Sequence, residues 1–172
     1  EDLGQLLRSE DAGAAGRATG AGTLRLGGAV ASLGTLTVGN STIVYADTAG
    51  NQTVRIPTGG SYYHLTIANA AAGGWTATAE GTFGVSGNFA VTYSVPNRSI
   101  FEVSTATVTV SGTTTLDGEL RIGASPGKFD ANGPFNGAAA SAVINFASNG
   151  TLELSSSVGG LGSDANFTEG NS

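Results

Sequence analysis

Cysteine and methionine are absent from this chain, histidine, tryptophan and lysine occur once each, and only 12% of the residues are charged. Each shortage removes a class of chemistry. One histidine without cysteine cannot supply the nitrogen and sulfur ligands of a zinc site. Seven cations, scattered rather than clustered, against a formal charge of -6 leave no electrostatic footprint for nucleic acid. No apolar run approaches the roughly 18 residues of a helical membrane span. The absence of cysteine fits a cytosolic protein that needs no thiol or a secreted one that avoids stray thiols. A composition rich in Thr, Ser, Asn and Gly and poor in Lys points to the second, a secreted or cell-surface location.

What the chain has instead is glycine, 28 in 172 residues, with a 40% hydrophobic share that suffices for one core. Alternation dominates from Thr23 onward. Leu24 and Leu26 flank Arg25, Val54 and Ile56 flank Arg55, and Leu120 and Ile122 flank Arg121, as strands with one apolar and one wet face require. "NFAVTYSV" places Phe89, Val91, Tyr93 and Val95 on one side. In "IFEVSTATVTV" the inward set runs Phe101, Val103, then Ala106, Val108 and Val110, so parity slips at Ser104 and predicts a corner or bulge. Around the lone histidine, Tyr63, Leu65 and Ile67 share the inward face, which turns Tyr62, His64 and Thr66 outward.

A Gly-x-apolar-x-apolar-small-small pattern recurs at 22–28, 34–40, 81–87, 118–124 and 150–156. Three or four inward side chains cannot bury themselves, but copies stacked about 4.8 Å apart form a continuous core and pair their backbones. The expectation is a β-solenoid of about six or seven coils of roughly 20 to 25 residues. A pilin-like β-sandwich completed by a neighbour's donor strand would show the same alternation, with Leu24 and Leu26 then lying in another subunit.

The segment "STIVYADTAGNQTVRIPTGGSYYHLTI" resembles a recurrent unit of large secreted bacterial surface and adhesin proteins. Ser41, Ile43, Val44, Tyr45, Gln52, Val54, Tyr62, Tyr63, Leu65 and Ile67 carry the likeness. The resemblance implies a right-handed parallel β-helix over about residues 22 to 156 and gives the histidine no catalytic role. The position after Tyr-Tyr is often Asn in such proteins, and His64 departs from that.

Enzyme motifs fail on context. "GASPG" at 123–127 satisfies G-x-S-x-G around Ser125, but Pro126, Gly127, Gly133 and Pro134 forbid the helix a nucleophile elbow needs. The same stretch continues with Phe129 where a phosphate loop has Ser or Thr. Asp117 and Glu119 could share a face, with Arg121 placed to neutralise them. "DANG" from Asp130 opens like a calcium loop without the later acids. No catalytic residue, metal site or cofactor is expected. Five N-x-S/T matches, at Asn40, Asn51, Asn97, Asn149 and Asn166, are what so Asn- and Thr-rich a chain produces by chance. Thr105, Thr107 and Thr109 line one strand as in ice-binding solenoids, but Arg25, Arg55 and Arg121 occupy the corresponding outward positions elsewhere.

Three segments follow. Residues 1–22 form an N-terminal arm or cap with Leu3, Leu6 and Leu7 at helical spacing, 23–158 the solenoid body, and 159–172 a polar tail. The expected function is structural and not enzymatic: a subunit of a self-assembling filament, or a module of a large adhesin. Its partner would be copies of itself joined head to tail through Leu3, Leu6, Leu7, Leu24 and Leu26. The alternatives are a carbohydrate-binding or polysaccharide-cleaving β-helix, contacting surface glycans through Tyr62, His64 or Trp75 (with Tyr93 beside them), and an ice-binding solenoid.

Overall fold

A computed structural model describes residues 21–34, 39–123, 126–137, 140–160 and, for the backbone, 167–169. The arm with Leu3, Leu6 and Leu7, most of the second repeat copy, Ser125 and most of the tail lie outside the described residues. Every regular element described is a strand, and the strands stack as a parallel β-solenoid of about six coils. The sandwich alternative is excluded.

Three sheets form the wall. Sheet A contains β1 (Thr23–Leu26), β2 (Thr42–Tyr45), β5 (His64–Ile67), β8 (Phe89–Val91), β13 (Thr114–Leu116), β16 (Phe135–Asn136) and β19 (Val158–Gly159). Sheet B contains β3 (Gln52–Val54), β6 (Thr76–Ala79), β11 (Ile100–Val103), β14 (Glu119–Ile122), β17 (Val143–Phe146) and β20 (Phe167–Glu169). Sheet C contains β4 (Ser61–Tyr62), β7 (Phe83–Val85), β12 (Thr107–Val110), β15 (Lys128–Ala131) and β18 (Thr151–Leu154). From β2 onward the chain visits A, B and C in turn. Register partners lie between 19 residues apart, at Thr23↔Thr42, and 25 apart, at Phe89↔Thr114. At one strand spacing per coil the body is roughly 30 Å long.

Inward positions stack in rows. On sheet A, Leu24, Ile43, Leu65, Phe89, Thr114, Phe135 and Val158 occupy one row. Phe101, Leu120 and Ile144 continue the core on sheet B, and Phe83, Val108 and Phe129 on sheet C. Phe89 meets Phe101 and Phe129 with ring centroids 5.1 and 5.4 Å apart, so the three sheets share one aromatic centre. The corner expected at Ser104 separates β11 from β12, with Ala106 buried beyond it.

The repeat proves to be a third of a coil. Its copies sit on sheet A (22–28), sheet B (118–124) and sheet C (81–87 and 150–156). Their irregular spacing therefore reflects which face each copy builds and carries no coil period.

Two face assignments are corrected. Tyr62 belongs to sheet C and His64 to sheet A, so the chain turns at Tyr63. Tyr62 points inward and is 1% exposed. In "NFAVTYSV" the strand ends at Val91. Tyr93 and Val95 then enter an antiparallel hairpin of β9 (Tyr93–Ser94) and β10 (Asn97–Arg98), where they are 38% and 81% exposed. Pro96, which has no N–H to give to a ladder, sits at the hairpin's tip.

One glycine column is set by close approach. Gly87, Gly112 and Gly133 lie above one another at the corner leading into sheet A. A Cβ on Gly112 would overlap the Gly87 carbonyl, and one on Gly133 the Gly112 carbonyl. Coils can close to strand spacing there only without a side chain.

Candidate functional site

His64 is an outward, half-buried residue on β5, as expected, but it has a partner. Its Nδ1 accepts the Asn88 N–H at 2.8 Å, one coil further on, and its ring meets the Tyr63 ring edge-on at 4.5 Å. Asn88 repeats the device, its Oδ1 accepting the Thr113 N–H at 3.1 Å. The next residue in the column is Pro134, which has no N–H, and the series stops where no donor needs it. Nδ1 of histidine and Oδ1 of asparagine are both bonded to Cγ, so His64 does an asparagine's work.

The other two corners carry the same stitch. Asn51 Oδ1 accepts from Thr76 N at 2.9 Å, and Thr82 Oγ1 from Thr107 N at 3.1 Å. In each case an acceptor side chain immediately before an inward strand residue satisfies the backbone of the coil beyond. Sequence reasoning missed these residues. The available signal was an Asn, Thr or His directly ahead of an inward position, as in Asn88-Phe89 and Thr82-Phe83.

Tyr62, expected as a glycan contact, is part of a closed internal cycle. The Arg55 N–H donates to Tyr45 Oη at 2.9 Å, Tyr45 donates to Tyr62 Oη at 3.1 Å, and Tyr62 donates to the Arg55 carbonyl. Burial pushes both phenols above their ordinary range, Tyr62 the further. They remain neutral and offer the outer surface nothing. Gln52, also inward, donates to the carbonyls of Leu26 (3.1 Å) and Gly28 (2.8 Å) and accepts the Asp47 N–H at 2.9 Å. With Arg55 Nε bonded to the Val30 carbonyl at 2.7 Å and Thr58 N to the Gly34 carbonyl at 3.0 Å, it binds the irregular 27–34 segment over the second coil.

Glu119 is held by Arg121, whose Nε and Nη2 lie 3.1 and 2.9 Å from its Oε1, and by Asn145 Nδ2 at 3.2 Å. Arg121 also faces Glu102 at 3.8 Å, and Arg98 lies 3.9 Å from Glu119. These contacts tie the carboxylate to two cations and to an amide of the next coil. On sheet C, Lys128 pairs with Asp130 (3.5 Å) and Glu153, and the Glu153 bond chiefly raises the lysine's pKa. The outward threonine rows are interrupted in register: Thr107 stacks on Lys128, Thr109 on Asp130, and Thr78 on Glu102. Trp75 is half-buried, its Nε1 donating to the Thr48 carbonyl at 3.0 Å. The proposed site residues Tyr62, His64 and Trp75 are therefore not brought together around one ligand.

At the sheet ends the inward rows are less covered. Leu24 and Leu26 on β1, and Leu152 and Leu154 on β18, are only partly buried, and Val158 on β19 is 42% exposed although it lies in the inward row. Compared with family models, curated proteins and solved structures, the chain finds no match.

Proposed function

We propose that this chain is an extracellular structural protein, the subunit of a self-assembling surface filament or the equivalent module of a large adhesin, and that it performs no catalysis. The observation that carries this reading is the sheet A inward row, which among the described residues runs from half-buried Leu24 to exposed Val158. A second copy stacked head to tail places its Leu24 over Val158 and joins its β1 to β19, continuing both the apolar row and the parallel ladder. The contact repeats without closing, so it generates a filament. Outward groups such as His64, Asn88, Glu119 and Lys128 support the same role, because they stitch coils or neutralise one another.

Native cysteine is absent, which makes the contact testable by cross-linking. Arg25 and Gly159 end the same outward column. Mild oxidation of an Arg25→Cys, Gly159→Cys double variant should give a ladder of covalent multimers, while each single variant stops at dimers. Monomers only, or dimers only, from the double variant would refute head-to-tail stacking.

A further inference from the structure

We propose that His64 is an acid-sensitive latch: a proton on its Nδ1 loosens coil three from coil four at the corner where the chain passes from sheet C to sheet A. This inference is independent of polymerisation, because the latch lies within one subunit. The stitches of Asn51, Thr82 and Asn88 use an amide or hydroxyl oxygen to accept the N–H of Thr76, Thr107 and Thr113. Such oxygens keep their lone pairs between about pH 8 and pH 5, whereas an imidazole nitrogen takes up a proton within that range. Of these stitches, only that of His64 is open to cutting by acid.

Bond and proton exclude each other. Nδ1 accepts the Asn88 N–H at 2.8 Å, which fixes the neutral tautomer with its hydrogen on Nε2. Once Nδ1 is protonated, two donors face one another. The ring has no room to move onto the next coil, since it lies so close over Gly87 that a Cβ there would come within 2.6 Å of Nδ1 and 2.7 Å of Cε1. Beside this bond, Gly87 N donates to the Tyr63 carbonyl at 2.7 Å and Leu65 N to the Asn88 carbonyl at 3.0 Å. Residues 63–65 thus hold 87–88 through a set of bonds in which only the His64 acceptor titrates.

The surroundings do not offset the charge. Against the ring stand Thr42 on β2, Gly87 and Asn88 on the next coil, and Tyr63. Of these only the Tyr63 phenol is titratable, and phenols lose their proton at about pH 10. Among the described residues, the strands of sheet A carry one other charged side chain, Arg25, two coils away and of the sign that opposes an imidazolium. The unfolded chain takes up the proton without losing a bond. It therefore binds more protons than the fold as pH falls through the imidazole's range, and stability falls with it.

The test compares the full chain with His64→Asn, which keeps on Cγ an acceptor that does not titrate, at one dilute protein concentration. At about pH 8 the two should melt together. At about pH 5 the parent should melt about 2–4 °C below the variant, the carboxylates being common to both. Site-resolved amide exchange locates the effect: between those pH values the parent's protection at Asn88 should fall roughly fivefold, while protection at Thr107 and Thr113 holds. Should the variant fail to fold, the parent's own exchange at Asn88 decides. Equal pH dependence of the two melting temperatures, or unchanged protection at Asn88, would overturn the proposal.

Discussion

Coil two, at residues 42–62, holds Tyr45, Tyr62 and Gln52 inside the wall, whereas coils four and five hold Phe89, Phe101, Val108, Leu120 and Phe129 at inward positions. Coils four and five have regular strands on both sides, so their backbone groups are paired by the ladder and the inward rows can be apolar save for Thr114. Coil two lies beneath the irregular 27–34 segment, whose carbonyls at Gly28 and Val30 take donors from Gln52 and Arg55. Where strand pairing lapses, buried polar side chains must replace it, because an unpaired buried carbonyl or amide costs about 1–3 kcal/mol.

The largest effect should come from placing charge in the apolar centre. Val108→Asp leaves a buried carboxylate without a partner and should cost about 3–5 kcal/mol, while Thr107→Asp, outward and beside Lys128, should change stability by less than about 0.5 kcal/mol. Denaturant melts of the two variants measure this, and equal losses would break the face assignment. Gln52→Leu is the matching change in the end coil. Filling that position with an apolar residue should destabilise by about 1–3 kcal/mol and raise hydrogen exchange within 27–34 ahead of exchange in β11 and β14. Were the end coil built like the centre, Leu would be harmless there.

The stitch at His64 tests the coil-to-coil link itself. His64→Leu removes the acceptor for the Asn88 N–H and should cost about 1 kcal/mol, whereas His64→Asn keeps an acceptor on Cγ and should stay within about 0.5 kcal/mol of the parent in thermal melts. The smallest effect has the opposite sign. Thr114 lies in the central inward row between Phe89 and Phe135, and its hydroxyl is buried without a partner. Thr114→Val keeps the shape and drops the orphaned group, so it should stabilise by up to about 1 kcal/mol. A loss on that change would show that the centre, too, depends on a buried polar group.

The legible part of this structure was its period. Strict alternation at Leu120–Ile122, the recurring glycine-bounded unit and the parity slip at Ser104 pointed to stacked strands, an inward set and a corner, while the parallel direction came from the resemblance of residues 41–67 to surface β-helix proteins. The corner at Tyr63 was not legible, because Tyr-Tyr-His-Leu alternates plausibly in either parity and the sequence does not mark which tyrosine ends sheet C. The hairpin at 93–98 hid for a related reason, since Tyr93 and Val95 continue the alternation of Phe89 and Val91 after the chain has left the sheet. The cycle of Tyr45, Tyr62 and Arg55 and the stitches of Asn51, Thr82 and Asn88 join residues 7 to 25 positions apart. Only the coil register, set by turns of unequal length, brings them together.

Sedimentation velocity of the intact chain over a wide concentration series tests the central claim most directly, that the two ends of the solenoid are complementary to each other. The account predicts a mean mass that climbs with concentration without levelling at a closed oligomer, and that falls when Val158→Asp places a charge on the uncovered end of the inward row. A single compact monomer at all concentrations, or growth unaffected by Val158→Asp, would contradict it.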